Sequence, residues 1–246
     1  MTESPAAGST RVRPADDPSA LQEAIERLAA GGLVAFPTET VYGLGARADD
    51  DAAVARIFSA KGRPSGHPLI VHVCDEAAAR GWAAEWPEPA RRLAQAFWPG
   101  PLTLIVPRRP DRGCAAAGGQ ASIGLRCPSH PAAQALLRLA AAVGIDGIAA
   151  PSANRFGRVS PTRAAHVRDE FPDGLLVLDG GDCPEGIESA IVDLSTPVPL
   201  ARRPGSLGRG RIEAILGRPL GLAGAGAPRA SGDLDSHYAP TARVEL

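Results

Sequence analysis

Residues 33–51, LVAFPTETVYGLGARADDD, join a short apolar run, a Pro/Thr-rich turn and three consecutive acids. Residues 33–36 predict a buried strand that ends at Pro37, because proline cannot donate to a strand ladder. Asp49, Asp50 and Asp51 predict the N-terminus of a helix that runs to Lys61 and ends at Gly62. A strand, a polar connection and a helix in this order are typical of an α/β sheet.

The same alternation extends in both directions along the chain. Ser19 and Gln22 have capping-box spacing and predict the start of an earlier helix. Several predicted strands follow one another directly, so part of the sheet should be antiparallel. Further helices are predicted around residues 88–97, 131–143, 162–170 and 209–216, and strands at 69–73, 102–106, 122–126, 147–150, 175–178, 189–194 and 198–202.

Length and composition predict one folded domain between two polar ends. The chain has 246 residues, of which 44% are apolar, enough for one large hydrophobic core. Residues 1–17 are rich in Ser, Pro, Ala and charge and predict a disordered leader. Residues 18–217 form the predicted domain, and residues 218–246 predict a flexible linker with a SHYAP tail.

Charge and cysteine content exclude several classes of function. The formal net charge is −1, so no global positive field attracts nucleic acid or an anionic membrane. The sequence contains no apolar run long enough to cross a bilayer and no apolar core of a signal peptide. Its four cysteines include no C-x-x-C pair, so neither a zinc site nor a disulfide framework is expected. We therefore expect a reduced, cytoplasmic protein without a metal site of its own.

Polar segments follow several predicted strand and helix ends, where ligands of open α/β sheets bind. Ser160 before Pro161 predicts a helix N-terminus, which would attract an anion. With nearby cations and hydroxyls, this terminus predicts a polyphosphate ligand. His72, inside an apolar strand, would by composition alone be a core residue. Three polar pairs have two-residue spacing: Thr38 with Thr40, Lys61 with Arg63, and Ser152 with Asn154. A fourth pair, Arg202 with Arg203, is adjacent in the sequence. Lys61 is the single lysine of the chain.

Eight segments, in this order, resemble the YrdC/TsaC family of L-threonylcarbamoyladenylate synthases. They are FPTETVYGLGARADD, KGRPSGHPLIVHV, WPGPLTLIV, IGLRCPSHP, APSANRFGRVSPT, GIESAIVDLS, RRPGS and SHYAP. The resemblance implies a YrdC-like α/β fold, a twisted mixed parallel and antiparallel sheet with flanking helices and a basic concave cleft. It also implies that L-threonine, bicarbonate and ATP give threonylcarbamoyl-AMP and pyrophosphate, for threonylcarbamoyladenosine modification of tRNA. Mg²⁺ would arrive bound mostly to the ATP phosphates.

The family motifs imply roles for individual residues of this sequence. The catalytic constellation would be Lys61, Arg63, Ser152 and Asn154. The threonine pocket would be Thr38, His72, Arg126 and Ser189, with Arg126 clamping the carboxylate bidentately. The ATP contacts would be Lys61, Arg63, Ser122, Ser152, Asn154, Ser160, Arg203 and Tyr238. The resemblance thus changes the interpretation of His72 from a core residue to a ligand contact.

The sequence also indicates candidate partners and two alternative functions. The resemblance implies a transient contact with a downstream tRNA threonylcarbamoyl transferase, and weak direct contact with tRNA. A tRNA or double-stranded RNA binding module is a second hypothesis, although aromatic residues make up only 4% of the chain. A carbamoyl-transfer domain of the hydrogenase-maturation type is a third, because it shares the fold.

Overall fold

The computed structural model describes residues 8–222, 224 and 229–230. In this part of the chain, eleven strands form one mixed sheet and seven helices flank it. The strands are β1 (Arg11–Pro14), β2 (Val34–Phe36), β3 (Gly43–Arg47), β4 (Ile70–His72), β5 (Leu102–Pro107), β6 (Ser122–Arg126), β7 (Ile148–Ala149), β8 (Leu176–Asp179), β9 (Ala190–Asp193), β10 (Leu200–Arg203) and β11 (Gly221–Leu222). The helices are α1 (Pro18–Ala29), α2 (Asp51–Lys61), α3 (Glu76–Arg80), α4 (Glu88–Phe97), α5 (Pro131–Ala142), α6 (Ala164–Glu170) and α7 (Arg209–Leu216).

The spatial order of the strands is β1-β8-β2-β3-β7-β4-β6-β5-β9-β10-β11. The sheet contains parallel pairs such as β4 with β6 and antiparallel pairs such as β5 with β6. The predicted α/β class with a partly antiparallel sheet is therefore confirmed. None of the described helices has the length and apolar character needed to cross a bilayer.

The ends of α1 and α2 show which of the predicted caps are formed. Asp50 caps α2 by accepting hydrogen bonds from two backbone amides, and Gly62 ends the helix in the left-handed conformation, as predicted. The predicted Ser19 cap of α1 is wrong. Asp17 is the cap, because its carboxylate accepts from the Ser19 amide while Pro18 occupies the first helical turn.

The ordered domain extends beyond both predicted boundaries. β1 lies inside the segment predicted to be a leader, where it pairs in parallel with β8. β11 lies beyond residue 217 and pairs with β10. Both strands are short edge strands, for which side-chain alternation is a weak signal. β3 and α3 were not predicted either, since β3 contains two glycines and α3 spans five residues.

Helices cover the two faces of the sheet. On β2, Val34 and Phe36 belong to one apolar cluster and Ala35 to the other, because successive side chains of a strand point to opposite faces. The first cluster includes residues of α1 and α5, and the second includes residues of α2, α4 and α7. The strands between these layers hold the polar residues described below.

We predict that Gly45→Ala destabilises the fold. A Cβ atom at this position on β3 would lie 2.7 Å from Ile148 Cγ2 and 2.8 Å from Phe36 Cε1. Both neighbours are fully buried, so overpacking should lower the free energy of unfolding by about 1–3 kcal/mol. Urea unfolding measures this loss. Gly210→Ala is the control, because no atom lies within 4 Å of its added Cβ, and equal stability of the two variants would contradict the prediction.

Candidate active site

The sheet register gathers polar side chains on one face. His72 on β4 lies opposite Arg126 on β6, and Arg126 lies opposite Thr103 on β5. Thr103 lies opposite Ile191 on β9, which lies opposite Arg203 on β10. Residues directly opposite one another share a face, so five neighbouring strands present this row to the same side. We call it the cross-strand row.

A cavity of about 490 Å³, which is open to solvent, is lined by His72, Arg126 and Arg203 of the cross-strand row. The turn after β2, the loop after β7 and the segment before β9 complete its walls. Seven of the residues implied by the resemblance line it, namely Thr38, Arg63, His72, Arg126, Ser152, Ser189 and Arg203. The structure thus brings most of the predicted site together.

Hydroxyl groups occupy one side of the cavity. In the turn after β2, the Thr38 hydroxyl accepts from the amides of Thr40 and Val41, and the two threonine hydroxyls lie 2.9 Å apart. The prediction that Thr38 and Thr40 face the same side is therefore confirmed. Ser189 shares a hydrogen bond of 2.8 Å with Thr103 of the cross-strand row.

Lys61 is buried beneath the cavity wall. Its side chain leaves the end of α2, and its Nζ donates to the backbone carbonyls of Ser152, at 2.5 Å, and Asn154. Burial is the main reason why the pKa of Lys61 falls to about 7. Lys61 therefore holds the loop after β7 in place. Its implied role as a catalytic and ATP-binding residue stays a prediction.

Asn154 and Ser160 also act within the loop after β7. The Asn154 amide donates to the carbonyls of Arg155 and Arg158, each at 2.8 Å. The Ser160 hydroxyl donates to a carboxylate oxygen of Glu188 at 3.1 Å. Their implied contacts with ATP are predictions.

The helix N-terminus predicted at Ser160 is wrong. α6 begins at Ala164, and no side chain caps it. The carbonyls of Pro161 and Thr162 accept from the amides of Tyr42 and Cys183, so this segment is hydrogen-bonded to neighbouring segments instead of starting a helix. An anion site on a helix dipole is therefore not formed here.

Ser122, an implied ATP contact, does not line the first cavity. Ser122 lines a neighbouring cavity of about 280 Å³, which shares Ile70 with the first. Ala230 is buried beside this second cavity against Ile70 and Ile105. Tyr238 lies outside the described residues.

His72 lies at the cavity floor as a neutral imidazole. It is 4% exposed, and burial, assisted by the positive charge of Arg126, lowers its pKa to about 3. Its Nδ1 is buried and makes no hydrogen bond within the described part of the chain. A neutral imidazole with an unused ring nitrogen suits a hydroxyl or amine of a ligand.

Two carboxylates of the site were not predicted. Glu188 lines the cavity and forms an ion pair with Arg203. Glu39 is buried behind the cavity and lies 2.7 Å from Arg126. In an extended segment Glu39 alternates with Thr38 and Thr40, so the spacing placed it on the opposite side. The arginine partners of both acids are distant in the sequence, so no local pattern indicated the two ion pairs.

Comparison with known proteins identifies the family. Residues 26–205 match the Sua5/YciO/YrdC family model, whose description is "Telomere recombination". The chain belongs to the Sua5/YciO/YrdC family. This assignment confirms the resemblance to the YrdC/TsaC family, while the SHYAP motif lies outside both the matched and the described residues.

Two curated proteins and one solved structure are similar to this chain over most of its length. A threonylcarbamoyl-AMP synthase of Pyrococcus abyssi is 43% identical over 220 residues, covering 87% of this chain and 64% of the relative. One of Bacillus subtilis is 42% identical over 239 residues, covering 94% of this chain and 67% of the relative. A crystal structure of Pyrococcus abyssi Sua5 complexed with L-threonine superposes with a TM-score of 0.83 at 40% identity, covering 90% of this chain and 66% of that one. The chain thus spans about two thirds of the length of these relatives.

We predict that the Lys61 ammonium loses its proton near neutral pH. Because Lys61 is the single lysine, ¹³C-lysine labelling gives one Cε resonance, with a titration midpoint expected near pH 7. In urea the same signal should titrate at about pH 10.4. Since the folded pKa is the lower one, burial of the ammonium destabilises the fold below pH 7, and this cost is relieved between pH 7 and about pH 10.4.

Adding ATP should raise the Lys61 midpoint if phosphates bind nearby, because negative charge favours the ammonium form. A midpoint near pH 10 in the folded protein would contradict the prediction.

Proposed function

We propose that this chain is a nucleotidyltransferase that makes threonylcarbamoyl-AMP and pyrophosphate from L-threonine, bicarbonate and ATP. Family membership and the printed names of the relatives support the reaction. The observation that carries the proposal is the cross-strand row, which places Arg126 and the neutral His72 in one cavity with Arg203. Such a cavity suits two anionic groups, an amino-acid carboxylate and a phosphate chain.

Arg63 and Arg203 are the proposed contacts of the triphosphate. Both line the cavity with guanidinium groups, which suit phosphate oxygens in charge and geometry. Displacement at a phosphorus atom requires mainly orientation of the reactants and neutralisation of charge. Mg²⁺ is proposed to arrive bound mostly to the ATP phosphates.

The amino acid is proposed to bind where the cross-strand row meets the turn after β2. There its amine and bicarbonate form an N-carboxylate and release water. An oxygen of this N-carboxylate attacks the α-phosphorus, and the bond to pyrophosphate breaks. Arg63 and Arg126 favour the neutral, nucleophilic amine, because nearby positive charges lower the pKa of an ammonium. The same charges stabilise the N-carboxylate anion.

The chain segment after residue 230 is proposed to cover the nucleotide. The support for this proposal is the burial of Ala230 beside Ile70, which lines both cavities. Tyr238 would then exclude water from the reactive adenylate. The product would pass to a tRNA threonylcarbamoyl transferase, with weak contact to tRNA itself. These partners rest on the proposed reaction.

Pyrophosphate release tests the reaction directly. With labelled ATP, we expect release only when both L-threonine and bicarbonate are present. Lys61→Arg should lose most of this activity, because a planar fork replaces the ammonium that holds the loop after β7. Release without threonine would reject the proposal. RNA binding without pyrophosphate release would favour the RNA-binding hypothesis, and turnover of another carbamoyl donor would favour the hydrogenase-maturation type.

We further predict that L-threonine is strongly preferred over L-valine. The hydroxyls of Thr38 and Ser189 and the free Nδ1 of His72 would lose a partner with the isosteric valine. L-serine lacks one methyl group and should lose on the order of 1–3 kcal/mol in kcat/KM. Competition kinetics with the three amino acids measure this order. Equal use of valine and threonine would contradict the assigned pocket.

A further inference from the structure

Glu39 and Arg126 form a buried ion pair at the back of the cavity. Arg126 Nη2 lies 2.7 Å from Glu39 Oε1, and the side chains are 5% and 6% exposed, respectively. Only Arg126 reaches the cavity wall. The acid is therefore placed to act on a ligand through its partner.

The turn after β2 and the segment after β6 hold Glu39 in place. Its Oε2 accepts a hydrogen bond of 3.0 Å from the amide of Ser129. Its backbone carbonyl accepts from the amide of Glu185 at 3.1 Å. Because both its side chain and its backbone are hydrogen-bonded, the Glu39 carboxylate is held in one position beside the Arg126 guanidinium.

The ion pair leaves hydrogen-bonding capacity on Arg126. Arg126 Nη2 and Glu39 Oε1 are close, but their geometry is not that of a hydrogen bond, and neither atom has another partner within the described residues. Arg126 Nε also makes no hydrogen bond there. A guanidinium has five N–H donors, and buried donors are normally paired. Arg126 thus has Nη2 against Glu39 and also reaches the cavity wall, where a ligand acceptor can pair with a guanidinium donor that Glu39 does not use.

We propose that Glu39 is a positioning residue that orients Arg126 toward the carboxylate of the amino-acid substrate. The inference rests on the proposed function, which places an amino acid in this cavity. One side of the Arg126 guanidinium already faces Glu39. The substrate carboxylate then meets an arginine whose direction is set before binding, which lowers the cost of ordering it.

The test compares ligands with and without the carboxylate, using calorimetric titration of the full chain. L-threonine and L-threoninamide differ in this group. We expect the wild type to bind threonine more tightly than the amide. In Glu39→Gln, threonine should bind at least tenfold more weakly while the affinity for the amide changes less than twofold. Glu39→Asp keeps the charge and should give a smaller loss in the same direction.

Glu185→Gln is the matched control, because Glu185 contacts the Glu39 backbone but does not line this cavity. It should leave both affinities unchanged. Equal weakening of both ligands in the Glu39 variants would overturn the proposal, because it indicates a general effect on the fold, and so would unchanged threonine binding. If Glu39→Gln does not fold, Glu39→Asp decides in the same way. Equal binding of both ligands by the wild type would instead reject the amino-acid site of the proposed function.

Discussion

The candidate site depends on the register between β4, β6, β5, β9 and β10. Each of these strands contributes one residue to the cross-strand row, and directly opposite residues share a face. A slip of one residue in any pair would turn its side chain to the helix-covered face. Helices packed on that face make such a slip costly, because buried apolar residues would be exchanged for charged ones. Core packing therefore specifies the position of Arg126 and Arg203.

Sequence periodicity predicted most of this framework. The strands from β4 to β10 and the helices α2, α4, α5 and α7 occur where apolar spacing and caps placed them. The short edge strands β1 and β11 and the Gly-rich β3 were missed, because pairing partners rather than their own side chains stabilise them. The helix start at Ser160 failed for a related reason, since tertiary hydrogen bonds to Pro161 and Thr162 outweighed a local capping preference.

The site was predicted less completely than the fold. Motif resemblance indicated seven residues that line the cavity, but it did not distinguish them from Lys61 and Asn154, which support the loop after β7. The distinction depends on how deeply each side chain is buried and on which backbone carbonyls it contacts, and neither property can be inferred from the spacing of side chains in the sequence. Glu39 was missed for the same reason, because its partner Arg126 is distant in the sequence and adjacent only through the sheet.

The cations of the cavity differ in how far the protein neutralises them. Arg126 faces Glu39 and Arg203 faces Glu188, so each of these guanidiniums has a carboxylate partner that fixes its direction. Arg63 donates to the carbonyl of Pro68, and burial lowers its pKa, a sign that its charge is costly before a ligand binds. An anion that reaches Arg63 would offset this cost. We therefore propose that Arg126 and Arg203 orient the substrates. Arg63 would contribute most to stabilising the negative charge that accumulates during the reaction.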